Sequence, residues 1–140
     1  MLVGYTAGAF DLFHVGHLNL LRNARALCDT LIVGVSTDDL VVATKGKACV
    51  IPFAERMEIV AGCRFADRVV PQADLDKVAA WETLHYDALF SGDDWQGHPR
   101  WQGYERELAA RGADVVYLPY TRATSSTLLS AALNRIAALT

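Results

Sequence analysis

Two histidines three residues apart, His14 and His17, close the string Gly8-Ala9-Phe10-Asp11-Leu12-Phe13-His14-Val15-Gly16-His17. At the start of a helix this spacing puts both imidazoles on one face. Gly16 between them lets a ligand come close to the backbone. A helix N-terminus also presents free amides and a partial positive charge, a ready site for an anion. The pair alone fits two unrelated surface histidines or half of a zinc site. No cysteine or acidic cluster beside it supplies the rest of a four-ligand set, so no protein-held metal is expected. Lys45-Gly46-Lys47 holds two of the three lysines in the chain. In isolation that triplet is an ordinary solvated loop. Thr124-Ser125-Ser126-Thr127 offers four hydroxyls and unpaired amides where a last helix should begin. One such residue suffices for capping, so a run of four suits a phosphate cradle better.

The elements that must position these groups alternate. Residues 1–6 (MLVGYT) read as a buried strand, and residues 15–28 follow with helical spacing at Leu18, Leu21 and Ala24. Residues 30–36 (TLIVGVS) read as a strand buried on both faces, as parallel strands usually are. Residues 40–51 read as a mobile loop carrying the lysines, and residues 53–61 as a helix opened by Pro52. Residues 68–70 form a short strand ended by Pro71. In the second half, residues 74–84 read as a helix capped by Asp74, and residues 88–91 as a strand running into Gly92-Asp93-Asp94-Trp95. Residues 104–111 read as a helix stopped at Gly112, residues 115–118 as a strand stopped by Pro119, and residues 125–136 as an amphipathic helix. This alternation predicts one α/β domain over residues 1–140. Its architecture is an open, doubly wound, Rossmann-like sheet of five parallel strands with helices on both faces. In such sheets ligands bind beyond the carboxyl ends of the strands.

A length of 140 residues fits a single core. Thirteen basic against sixteen acidic side chains give a formal charge of -3, so a nucleic-acid coat, which needs net positive charge, is excluded. Three cysteines without a CxxC pair predict a reduced, cytoplasmic chain rather than a disulfide scaffold. No apolar run approaches the roughly 20 residues of a membrane span.

The string GAFDLFHVGH resembles the HxGH nucleotide-binding motif of the nucleotidyltransferase superfamily. STDD at residues 36–39, the KxK loop, the Arg56 helix, CRFAD at residues 63–67, GDDW at residues 92–95 and the VVYLP…SST tail extend the likeness over nearly the whole chain. They make it similar to the cytidylyltransferase branch, and within it to the glycerol-3-phosphate cytidylyltransferases. The resemblance implies transfer of a nucleotidyl group from CTP to a small phosphorylated alcohol, with magnesium carried by the triphosphate, in a homodimer. A phosphate monoester is already ionised near neutral pH, so the site needs alignment and charge stabilisation rather than a general base.

By correspondence His14, His17, Lys45 and Lys47 are the catalytic groups. Lys45 would face the alcohol phosphate and Lys47 the nucleotide, while Asp11 and Lys77 complete the acceptor site. The nucleotide would meet Gly8, Ala9, Phe10, Gly16, Arg64, Asp93, Asp94, Trp95, Tyr120, Thr121, Arg122, Thr124, Ser125, Ser126 and Thr127. Arg64 fits a surface ion pair with Asp67 equally well, Trp95 is also a candidate for core filling, and Arg56 is expected to be structural. Tyr120 and Ala123 stand where the family has arginine and glycine, with Arg122 two places on. Ala9 and Val15 stand where Thr and Trp are usual. These departures leave room for another acceptor, for ATP, or for a nucleotide sensor without turnover.

Overall fold

The computed structural model describes residues 1–119 and 126–139. The strands are β1 (Val3–Gly8), β2 (Thr30–Ser36), β3 (Arg68–Gln72), β4 (Ala88–Gly92) and β5 (Asp114–Leu118). The helices are α1 (Val15–Ala26), α2 (Asp38–Lys45), α3 (Phe53–Ala61), α4 (Lys77–Leu84), α5 (Pro99–Ala109) and α6 (Ser126–Ala138). All strand pairs are parallel, in the order β3-β2-β1-β4-β5. The chain works outward from β1 to one edge, then crosses to β4 and works outward to the other. The direction of winding therefore reverses between β1 and β4, the crevice where such sheets bind ligands.

Alternation along the strands divides the core in two. Leu31, Val33, Val35 and Phe90 point to one face and pack with Leu21 and Ala24 of α1 and Val60 of α3. Tyr5, Ile32 and Leu89 point to the other and pack with Tyr86 and with Trp101 and Leu108 of α5. The Tyr5 and Tyr86 rings stack there at 5.1 Å. The expected five-stranded, two-faced architecture is the one observed.

Several local expectations are corrected. Residues 38–45, expected within or beside a mobile loop, are helix α2. Thr37 caps it by accepting from the Leu40 amide, Asp38 and Asp39 sit in its first turn, and Gly46 ends it at φ 75. Pro71 does not end β3, because β3 is an edge strand with no partner on its outer side. The cap of α4 is Asp76, which accepts from the Val78 and Ala79 amides, while Asp74 accepts from the amide of Asp76. Helix α5 starts at Pro99, five residues before Tyr104, with His98 as its cap and proline in the first turn.

Candidate active site

The chain leaves β1 through a strained turn. Phe10 (φ 53) and Leu12 (φ 48) both occupy the left-handed region, uncommon for such residues. Between them Asp11 is buried, its carboxylate accepting from the Val50 and Ile51 amides at 2.9 Å each. Its backbone carbonyl accepts from the Ser126 hydroxyl. The turn is thus tied to the segment behind the lysines and to the first residue of α6.

His14 is the N-cap of α1. Its Nδ1 accepts from the Gly16 amide at 3.0 Å, while the His14 amide donates to Nδ1 of His17 at 3.2 Å. A neutral imidazole that accepts at Nδ1 carries its proton at Nε2. Both rings therefore present an Nε2–H donor, and they stack with centroids 3.9 Å apart. Phe10 lies edge-on beneath His17 at 5.3 Å. Burial, then the neighbouring His14, pushes the His17 pKa down to about 4. Burial also lowers that of His14. At neutral pH His17 is thus an uncharged donor.

The depressed pKa carries a stability consequence. Between pH 6.5 and about 4 the unfolded chain holds a proton on residue 17 that the folded chain does not. Stability must therefore fall as pH drops through that window. Urea denaturation at pH 7, 5.5 and 4.5 should show this loss, and the acid limb should be shallower in His17→Gln. Identical limbs in the two proteins would refute the shifted proton affinity.

Three adjoining clefts open at the strand ends. One, of about 270 Å³, holds His14, Gly16, His17, Gly92, Asp94, Trp95, Ser126 and Thr127. The second, of about 190 Å³, shares Ser126 and Thr127 with it and adds Lys45 and Lys47. The third, also about 270 Å³, shares Lys45 with the second and Ser91 and Trp95 with the first. It adds Gln72, Lys77, Arg100, Trp101 and Tyr104. Trp95 is 44% exposed and stacks on Trp101 at 6.0 Å, so it walls the first cleft off from the third rather than filling the core.

Arg56 ties the floor of these clefts together from full burial. It donates to the carbonyls of Ile51 (2.9 Å), Ala9 (2.7 Å) and Ser36 (2.7 Å) and to the Asp38 carboxylate (2.7 Å). The guanidinium holds the Asp38 carboxyl below its ordinary value. Arg56 is structural, as expected, and it joins the ends of β1 and β2 to the segment following the lysines.

The structure thus brings together His14, Gly16, His17, Lys45, Lys47, Lys77, Asp94, Trp95, Ser126 and Thr127. Asp93 lies in the short turn beside them, between Gly92 and Asp94. Asp11, expected at the acceptor, has both carboxylate oxygens on backbone amides and also lines the second cleft with Lys45 and Lys47. Three expectations change. Phe10, expected at the nucleotide, is core and supports His17. Gly8 and Ala9 line the third cleft, not the one with the histidines. Arg64 lies over the Phe65 ring in a separate depression with Arg22 and Glu58. Its alternative partner Asp67 pairs with Arg25 at 2.8 Å instead. Tyr120, Thr121, Arg122, Thr124 and Ser125 lie outside the described residues. Arg100 and Trp101 were missed, although Pro99 at the first position of a helix just past GDDW was the available signal.

The geometry agrees with what the comparisons find. A family model described as cytidylyltransferase-like matches residues 5–133. The chain belongs to the cytidylyltransferase-like family of nucleotidyltransferases. Among the relatives of this cytidylyltransferase-like chain, the glycerol-3-phosphate cytidylyltransferase of Bacillus subtilis is 33% identical over 87% of the chain and 89% of that protein. The bifunctional protein HldE of Granulibacter bethesdensis is 40% identical over 83% of the chain but only 22% of its own length. An ethanolamine-phosphate cytidylyltransferase of Arabidopsis thaliana is 46% identical over 49% of the chain and 16% of that protein. The chain thus spans about a quarter or less of the HldE and ethanolamine-phosphate relatives. Among solved structures, a lipopolysaccharide core biosynthesis protein of Thermoplasma volcanium superposes with a TM-score of 0.72 at 19% identity, over 89% of this chain and 99% of that one. That likeness concerns the fold. No helix among the described residues is long and apolar enough to cross a membrane.

Proposed function

We propose that this cytidylyltransferase-like protein transfers CMP from CTP to a phosphorylated alcohol, with sn-glycerol 3-phosphate as the leading acceptor. The products are CDP-glycerol and pyrophosphate. One observation carries the reading: two neutral imidazoles stacked at the β1–β4 crevice, each with an Nε2–H donor facing outward. An acceptor phosphate oxygen attacks the α-phosphorus of the nucleotide, and the bond from that phosphorus to the bridging oxygen breaks. The acceptor, with a second pKa near 6, is already largely a dianion. No general base is required. The two imidazoles hydrogen-bond the α-phosphate as charge builds on it, and Lys45 and Lys47 offset the charge of the attacking and departing phosphates.

Magnesium enters with the nucleotide as part of the substrate. The clefts are lined by donors suited to phosphate oxygens, and among the described residues no group of three His, Cys, Asp or Glu could hold a metal. An ion of this kind is held by phosphates and water.

The test is pyrophosphate release with a panel of CTP and ATP against glycerol 3-phosphate, a sugar phosphate and ethanolamine phosphate. Release with CTP and glycerol 3-phosphate supports the proposal. Release with ATP alone overturns the choice of nucleotide, and tight CTP binding without any release makes the protein a sensor. Lys45 links the second and third clefts, so Lys45→Ala should raise the acceptor KM about tenfold or more, by loss of a charge-assisted contact. The KM for CTP should change less. An unchanged acceptor KM would count against its role.

A further inference from the structure

The third cleft holds three cations, Lys45, Lys77 and Arg100, and no acidic residue lines it. Lys77 is only 7% exposed. Among the described residues its ammonium has no hydrogen-bond or salt-bridge partner. Burial pushes its pKa down to about 8, so it stays largely charged at neutral pH. Its stem is buried while the ammonium keeps solvent contact at the cleft, with the Asp74 and Asp76 charges nearby, so its donors are open to an anion there. Arg100, in the first turn of α5, borders the same cleft from its exposed rim.

The carboxylates around this region hold backbone amides or Arg56, and none of them lines the cleft. Asp11 holds the amides of Val50 and Ile51. Asp38 holds Arg56 and the Phe53 amide. Asp74 and Asp76 hold backbone amides at the start of α4. An ammonium-bearing alcohol would meet no acid in the lining of this cleft, only the like charges of Lys45, Lys77 and Arg100, while Asp74 and Asp76 act on Lys77 from outside it. Gln72, Ser91 and Tyr104 provide groups that pair with hydroxyls.

We propose that Arg100 is a specificity-determining residue, which favours the uncharged polyhydroxy ester named above and excludes ammonium-bearing alcohols. This rests on the cytidylyl-transfer reading above. Lys45 and Lys77 together match the two charges of a phosphate monoester, and Arg100 turns its five donors to the hydroxyls beyond it. Discrimination then comes as much from repulsion of the wrong acceptor as from contacts with the right one.

The experiment measures initial rates of pyrophosphate release at saturating CTP, or ATP if that is the nucleotide used. The acceptors are glycerol 3-phosphate, ribitol 5-phosphate, ethanolamine phosphate and choline phosphate. The expected kcat/KM is about a hundredfold higher for the better polyol ester than for either ammonium ester, as a built-in repulsive element gives. Arg100→Glu should shrink that ratio roughly tenfold, by raising the KM of the polyol ester and lowering that of ethanolamine phosphate. Arg100→Gln should fall between, and neither variant should change the KM for the nucleotide. Arg100 is exposed, so both variants should melt like the parent. Equal use of ethanolamine phosphate, or an unchanged ratio in Arg100→Glu, overturns the proposal and leaves nucleotidyl transfer standing. No release with any acceptor overturns nucleotidyl transfer itself, and the proposal with it.

Discussion

His17→Ala is expected to lower turnover by about a hundredfold or more, the usual cost of deleting one preorganised donor to a developing oxyanion. The expectation follows from contacts that fix the ring. Its Nδ1 is held by the His14 amide, its flat face stacks on His14, and Phe10 abuts it from below. The ring is thereby fixed before any substrate arrives. Alanine removes the donor together with the acceptor that satisfies the His14 amide, a loss of about 1–3 kcal/mol when such a group is left unpaired. His14 would still cap the helix through Gly16, so the variant should fold. Single-turnover pyrophosphate release combined with a circular-dichroism melt separates the two effects. Near-normal turnover in a folded variant would contradict the assigned role.

Arg56→Met should lower stability by about 3–5 kcal/mol, the range found when one member of a buried charged network is removed. The large term is not the ion pair with Asp38, whose side chain is 51% exposed. It is the loss of donors to the carbonyls of Ala9, Ser36 and Ile51, which methionine fills in volume and leaves unpaired. For a chain of this size the melting temperature should fall by roughly 10 °C or more. Arg56→Lys should recover little, because one ammonium cannot reach acceptors in the directions a guanidinium spans. A Met variant melting within about 2 °C of the parent would show that water or local relaxation satisfies these carbonyls. Arg56 touches no reacting group in this arrangement. It is a positioning residue, and its loss should also loosen the lysine segment, seen as a raised acceptor KM in whatever fraction stays folded.

The sheet was legible in the sequence because its signal is physical and repeated. Apolar runs such as residues 30–36 have no other comfortable place than a sheet buried on both faces. The punctuation was less legible. Pro71 reads as a stop only if its strand is central, and which strand is the edge depends on pairings far away in the chain. Val41 and Val42 are poor helix formers, so α2 was hidden behind a propensity that Thr37, the first-turn aspartates and Gly46 override. At the site, the HxGH spacing placed both histidines on one face, but the roles of the flanking residues came from family correspondence. That correspondence did not show that Phe10 is core or that Asp11 also clamps the turn. A carboxylate three positions past a strand looks like a ligand, and only the amides of Val50 and Ile51, about 40 residues on, show that it also fixes the turn. Lys77 illustrates the reverse. No local spacing marks it; family correspondence alone put it at the acceptor, and the fold shows its stem buried against a cleft.

The reciprocal bonds between His14 and His17 narrow what substitution can do here. Each ring offers an acceptor to the backbone on one edge and a donor on the opposite edge, a ring's width away. Serine, threonine or aspartate can replace the first role at a helix start, yet none carries a donor to the far side. Lysine or arginine can supply the second and would leave the amides of His14 and Gly16 unanswered. Stepwise drift at either position therefore passes through chains that are misfolded at the helix start or inert at the crevice. New acceptors are reached more readily by changing the walls of the clefts, where Trp95, Arg100 and Tyr104 stand, than by altering this pair.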